Sequence, residues 1–235
     1  MAAPRLFVDP AALHHGMAHL NKDERRYLIT VLRLDIGAKV TILDGVGGLY
    51  QSTIAQVGKE AVVCELGPLE TATGESEREV HLWMACIKSD RMEWLIQKAT
   101  ELGVAAIHLM DTARTVMHHP DGKMDRWRKI AREAAEQSER GRIPAILDSR
   151  PLAGRSLPLG AFYCAERRPD VPSIRTAAGK NAGEALHVLV GPEGGWTEAE
   201  CAMFAEKGAG PVSLGTRILR AETAAIAALA LLLLE

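Results

Sequence analysis

Aromatic side chains are scarce in this chain: three Phe, three Tyr and four Trp among 235 residues. Alanine and leucine are abundant instead, so helices are expected to carry much of the packing. Only four cysteines occur, Cys64, Cys86, Cys164 and Cys201. They lie far apart without C-x-x-C spacing, which argues against a disulfide scaffold and against a zinc site. Buried reduced thiols are expected. Long apolar runs are missing too. The longest, Ala224 to Leu234, is about half of the ~20 residues that cross a bilayer. The N-terminal segment from Met1 to Asp9 has no apolar signal core, so a cytoplasmic protein with no membrane partner is expected. Neither charge dominates. The formal net charge is −2, and any nucleic-acid binding has to come from local basic patches. What is present, 47% hydrophobic and 25% charged residues, excludes a disordered or collagen-like chain.

Two organisations follow one another. Up to about residue 70 the pattern is β-rich. Lys39-Val40-Thr41-Ile42-Leu43 leads into an Asp44-Gly45 turn, and strand-like runs follow over 49–57 and 61–66. One helix is predicted near 23–32, with Asn21 or Asp23 as its cap. A small β-barrel fits this pattern. The stretch from Pro68 to Glu79 lacks apolar periodicity and reads as a linker, which divides the chain into domains 1–72 and 73–235. After it the rhythm becomes strand, helix, strand. Strands are predicted at 80–87, 104–110, 161–165, 186–190 and 212–214, and helices at 91–102, 124–140, after the Thr197-x-x-Glu200 capping box, and from Glu222 onward. Such alternation argues for an α/β domain with a mostly parallel sheet wrapped by helices.

Two glycine loops each follow a predicted strand. One is Val190-Gly191-Pro192-Glu193-Gly194-Gly195-Trp196. The other is Leu214-Gly215-Thr216-Arg217-Ile218-Leu219-Arg220-Ala221-Glu222-Thr223. In a parallel sheet ligands sit at the carboxyl ends of strands, and glycine lets backbone approach them closely. The same residues could equally be tight turns. The spacing is not G-x-G-x-x-G, and no G-K-[ST] occurs, so a dinucleotide or Walker-type phosphate site is poorly supported.

These two loops resemble the cofactor region of the RsmE family, the bacterial 16S rRNA (uracil-N3)-methyltransferases of the SPOUT superfamily. Three further segments match in order: Val31-Leu32-Arg33, the run from Gln97 to Val104, and the helix from Glu133 to Arg140. The resemblance thus covers essentially the whole chain. It implies an N-terminal PUA-like barrel and a C-terminal parallel sheet closed by a trefoil knot. It also implies a homodimer packed through the knotted domain, an S-adenosylmethionine pocket, and methylation of one uridine at N3 in the small ribosomal subunit. The cofactor-binding residues it implies are Val190, Gly191, Pro192, Glu193, Gly194, Gly195, Leu214, Gly215, Ile218 and Leu219, with Glu166 after a third strand. Tyr27 stands where relatives often have histidine, which puts a role for that position in doubt.

The proton on uracil N3 must leave during transfer, and Glu222, Glu193 or a nearby arginine such as Arg220 could assist. Glu222 could equally be an acidic residue of the terminal helix's first turn, stabilised there by the dipole. Arg5, Arg33, Lys88, Arg91, Arg140, Arg142 and Arg217 are candidates for RNA contacts because cationic side chains, guanidinium above all, suit phosphate; each could also be an ordinary surface ion pair. From Arg126 to Arg142 six basic residues face three acidic ones. The near-neutral total predicts weak binding to bare RNA and preference for an assembled small subunit. Paired His118-His119 and His14-His15 lack carboxylate or cysteine partners at ligand spacing, so no metal is expected. His81, His108 and His187 are expected to be satisfied, partly buried groups in strands. Trp196 is expected to anchor the helix that follows it. Two other readings stay open: a SPOUT methyltransferase with a different RNA target, and a non-catalytic RNA-binding assembly factor.

Overall fold

The computed structural model describes residues 3–115, 122–158, 160–165, 170–179 and 185–234. The chain forms two compact units, Met1–Glu75 with Ala135–Ile143, and Ser76–Ala134 with Pro144–Glu235.

The first unit is built on six strands: β1 Arg5–Phe7, β2 Leu13–His14, β3 Met17–Leu20, β4 Lys39–Leu43, β5 Gly48–Val57 and β6 Val62–Thr71. Their order is β1-β4-β5-β6-β3-β2, with β1 and β4 parallel and the other pairs antiparallel. Leu6, Leu20, Val40, Ile42, Ile54, Val62 and Cys64 pack with Leu28 into its core. The Asp44-Gly45 turn is closed by Asp44 Oδ1, which accepts from the N–H groups of Val46 and Gly48, both at 2.8 Å. The helix expected near 23–32 begins at a complete capping box, with the Asn21 side chain on the Asp23 and Glu24 N–H groups and Glu24 reaching back to the Asn21 N–H. It runs as α1 Lys22–Arg25 and then widens into a π-helical turn, Arg26–Val31. Arg33 follows in the left-handed region at φ +56°, an unusual place for a long side chain.

Two expectations change here. The predicted linker from Pro68 is partly strand, because Leu69, Glu70 and Thr71 pair with Tyr50, Leu49 and Gly48. Those residues are held by backbone hydrogen bonds with little burial, and side-chain periodicity cannot register that. Ala135–Ile143, which the sequence placed in the second domain, folds with the first unit. Ala135 is buried among Phe7, Leu43, Leu49 and Ala72. Glu75 joins the segment through the Arg140 guanidinium at 2.7 Å and the N–H groups of Gly141 and Arg142 at 3.0 Å.

The second unit alternates β7 Val80–Ala85, α2 Ser89–Glu101, β8 Ala106–Asp111, α3 Met124–Gln137, β9 Ala145–Pro151, β10 Phe162–Cys164, α4 Ile174–Ala178, β11 Leu186–Val190, α5 Glu198–Glu206, β12 Gly210–Val212 and α6 Ala221–Leu233. Its six strands are all parallel, in the order β12-β10-β11-β7-β8-β9. Strands buried on both faces need continuous apolar runs, and Val188, Leu189 and Val190 of β11 and Leu82 to Ala85 of β7 supply them. The edge strand β9 was not anticipated. Most of its residues are exposed, so neither alternation nor an apolar run announces it. The terminal helix α6 packs against α2, α4, β7 and β11 and buries Ala225, Ala228, Leu229 and Leu232. No helix among the described residues is long and apolar enough to cross a membrane.

Candidate active site

The carboxyl ends of β12, β10 and β11 lie side by side, and the segment that leaves each one lines a common cleft of about 260 Å³. β10 contributes Cys164 and Ala165, β11 contributes Val190 to Glu193 with Gly195 and Trp196, and β12 contributes Leu214, Gly215 and Arg217 to Ala221. Ala224, one turn into α6, completes the wall. Both glycine loops therefore meet at one crevice, where an open parallel sheet offers ligands its strand ends.

Local chemistry shapes each loop. Gly195 sits at φ +68° and its N–H bonds the Pro192 carbonyl at 2.9 Å, closing a turn over Glu193 and Gly194. Gly191 lies against the Trp196 indole so closely that a Cβ would come within 3.1 Å of the ring. Trp196 is held by its indole N–H on the Cys164 carbonyl at 3.0 Å and by an edge contact with Phe204. It therefore anchors α5 as expected and also walls the cleft. In the second loop Ser213 Oγ accepts from the Gly215 N–H at 3.1 Å, and Gly215 is at φ +119°. Its glycine identity follows from that backbone angle. Ile218 is 64% exposed, an apolar side chain that an occupant of the cleft would cover.

A residue absent from the sequence reading clamps the first loop. Arg114, just beyond β8, donates to the carbonyls of Gly194 at 2.6 Å and Trp196 at 3.4 Å. Next to it the Ala113 N–H bonds Glu200 at 2.9 Å, and Glu200 also closes the Thr197 capping box. No motif marks Arg114, because its partners are backbone carbonyls 80 residues away.

The two candidate carboxylates converge on one guanidinium. Arg91 of α2 lies 3.4 Å from Glu193 and 3.7 Å from Glu222. Glu222, in the first turn of α6, is only 8% exposed, and its Oε2 is buried without a hydrogen-bond partner among the described residues. Arg220 caps α6 by position and makes no side-chain capping bond.

The remaining predicted residues separate. Arg217, Arg220 and Lys88 are exposed in the second unit, and Arg33 and Arg142 in the first. Arg5 donates to the Glu139 carbonyl at 3.0 Å. Arg140 is corrected: it is 3% exposed and its charge is spent on Glu75, so it is a buried structural ion pair and not an RNA contact. Other basic residues of the 126–142 run are paired too, Arg126 with Glu93 and Arg128 with Asp125 and Asp148. Glu166, His118 and His119 lie outside the described residues. His81, His108 and His187 are half-buried and hydrogen-bonded, as expected, and they also cluster on the sheet.

Residues 74–233 match the family model described as an RNA methyltransferase domain, and residues 20–67 match an RNA methyltransferase PUA domain. A relative from Synechocystis, ribosomal RNA small subunit methyltransferase E, is 34% identical over 97% of this chain and 76% of its own length. The chain belongs to this RNA methyltransferase family. A second member, ribosomal RNA small subunit methyltransferase E of Bacillus subtilis, is 31% identical over 88% of this chain and 86% of its own. Among solved structures, the small subunit methyltransferase E of Neisseria gonorrhoeae, determined with S-adenosyl methionine bound, superposes with a TM-score of 0.84. It is 30% identical over 97% of this chain and 96% of that one. The PUA-like and α/β architecture expected from the sequence is thus that of the family.

Proposed function

We propose that this protein transfers a methyl group from S-adenosylmethionine to N3 of a uridine in 16S rRNA. The observation that carries the reading is the cleft itself: three adjacent strand ends, two glycine loops and an apolar lining beside two carboxylates bridged by Arg91.

The cleft suits the cofactor chemically. Val190, Leu214, Ile218 and Leu219 offer apolar walls for an adenine, backbone at Gly191 and Gly215 can come close to the ligand, and Glu193 at the rim complements a sulfonium charge. When bound, that cofactor supplies an already activated methyl group, so no metal is required. The protein's own work is orientation and proton handling. Holding the reacting groups in line can remove several kcal/mol of the barrier. Glu222, with one oxygen 3.7 Å from Arg91 and the other without a hydrogen-bond partner among the described residues, would take the N3 proton, and Glu193 is the alternative. Lys88, Arg217 and Arg220 are the candidate RNA contacts of the second unit, and Arg33 and Arg142 are those of the first. The half-buried Ile226, Ala227, Ala230 and Leu231 of α6 suit a homodimer contact, and the location is cytoplasmic.

A ligand that binds only the folded state raises apparent stability, so S-adenosylmethionine should raise the melting temperature. An N3 methyl blocks the Watson–Crick edge. Reverse transcription across small-subunit rRNA should therefore stop at one uridine in wild type and read through in a strain lacking the gene. Absence of both effects defeats the reading. Assembled small subunits should be methylated faster than a naked stem-loop; equal rates would remove the subunit preference.

A further inference from the structure

A second hollow opens beside the cofactor cleft. It is lined by Asp90, Arg91 and Trp94 of α2 and by Arg220, Glu222 and Thr223 at the start of α6. Arg220 lines both spaces, so the hollow and the cleft adjoin at the first turn of α6. Two features of the hollow have no structural explanation. Trp94 leaves 46% of its surface exposed, in a chain with only four tryptophans. Glu222 Oε2 is buried with no donor among the described residues, although a buried acceptor left unpaired is destabilising. Arg91 occupies only the other oxygen, at 3.7 Å.

Both features are accounted for by one ligand chemistry. A flat ring laid on the indole would gain the stacking that nucleic-acid binders draw from aromatic platforms. An edge N–H of that ring would satisfy Glu222 Oε2. Arg91 and Arg220 would face the carbonyl oxygens beside that N–H. Uracil has this edge: an N3–H between two carbonyls. Cytosine presents an unprotonated N3, an acceptor facing an acceptor, and is repelled.

We propose that this hollow is the acceptor-base pocket, with Trp94 as the stacking platform and Glu222 Oε2 as the reader of the uracil N3–H. The proposal rests on the uridine reading above and adds a positioning residue, Trp94, and a rule of specificity to it.

The test uses the full-length protein without cofactor and follows binding of a short uridine-containing oligoribonucleotide, and of its cytidine counterpart, by fluorescence anisotropy. Wild type should prefer the uridine oligonucleotide. Trp94→Ala should weaken its binding roughly 5- to 150-fold, the range for losing one base–aromatic stack, whereas Trp94→Phe, which keeps a π face, should retain most of it. Glu222→Gln should narrow the uridine preference, because the amide can donate to cytosine N3. In Trp94→Ala the thermal shift with S-adenosylmethionine should stay at the wild-type value, and the KM for small subunits should rise more than kcat falls. Unchanged oligonucleotide binding in Trp94→Ala overturns the proposal. So does conversion of a dimer to a monomer by that substitution, measured by light scattering, since Trp94 would then be a subunit contact. If wild type methylates N3 of uridine and Trp94→Ala does so with unaltered KM, this pocket is wrong and the function stands. If wild type neither binds the cofactor nor methylates uridine, the function itself fails.

Discussion

Protonating one histidine cluster should cost this protein a measurable part of its stability in mildly acidic solution. His81, His108 and His187 come from three neighbouring strands, β7, β8 and β11. His81 Nδ1 lies 3.0 Å from His108 Nε2, and His81 Nε2 lies 2.7 Å from Glu79. His108 stacks on Trp83, whose indole N–H donates to His187 Nδ1 at 3.2 Å, and the Arg155 guanidinium sits over the same indole. Burial, then the charges of His81, Arg155 and His187, push the pKa of His108 from 6.5 down to about 4. Burial and His81 do the same to His187, against a smaller opposing pull from Glu79. Because the folded state holds these rings neutral, the unfolded chain binds protons first as pH falls. Stability is therefore complete above about pH 6.5, declines between there and about pH 4, and is flat below with respect to these groups. Linkage gives about 2 kcal/mol per ring between pH 7 and pH 5. Solvent at the half-buried rings lowers the combined effect to about 2–3 kcal/mol, a sizeable fraction of a typical ~5–15 kcal/mol. Urea unfolding followed by far-UV circular dichroism at both pH values measures it. The double substitution His108→Phe and His187→Asn keeps a flat ring on Trp83 and an acceptor for its N–H while removing both titrations. If that variant loses as much stability as wild type between pH 7 and pH 5, the cluster is not the cause.

Other consequences are equally concrete. Gly191→Ala would drive a methyl to within 3.1 Å of the Trp196 ring, so the thermal shift with S-adenosylmethionine should shrink or vanish while the fold survives. Arg114→Ala removes the hydrogen bonds to Gly194 and Trp196 and should weaken cofactor binding about fivefold, equivalent to ~1 kcal/mol, in an equilibrium titration. Glu75→Gln removes the carboxylate charge that faces the buried Arg140 guanidinium at 2.7 Å. Chemical denaturation should show a loss of about 3 kcal/mol. Burial opposes the charge of Glu75, yet the Arg140 guanidinium and the N–H groups of Arg142 and Gly141 outweigh it and hold its pKa below 4.5; that contribution is present above about pH 4.5 and is lost as pH falls below it. Single-turnover methylation should slow about 10²-fold or more in Glu222→Gln or in Glu193→Gln, whichever residue is the base; near-normal rates in both variants would remove the carboxylate base.

Much of the architecture was legible because burial writes a period into the sequence. Helix α2 shows it plainly: Met92, Leu95, Ile96 and Ala99 fall at helical spacing and all are buried. Strand β11 was legible as an apolar run bounded by glycine, and α5 by its capping box. What stayed hidden lacks such a period. Strands β1, β2 and β3 hold only two to four residues each, and β9 is mostly exposed. Pairing partners that sequence does not disclose define these strands.

The sequence by itself determined the local pieces that carry a burial period: the amphipathic helices, the apolar strands, where glycine permits φ +119° at Gly215, and which loops follow those strands. Tertiary structure decided what those pieces meet. The order β12-β10-β11 brings two loops that are separate in the chain to one crevice. Folding of Ala135–Ile143 onto the first unit turns Arg140 from an apparent RNA ligand into a buried counter-ion of Glu75. Packing of α2 beside α6 sets Arg91 between Glu193 and Glu222. Such outcomes depend on distance in space, which a residue's type and neighbours constrain only weakly, and on the competition for charge and burial that packing resolves.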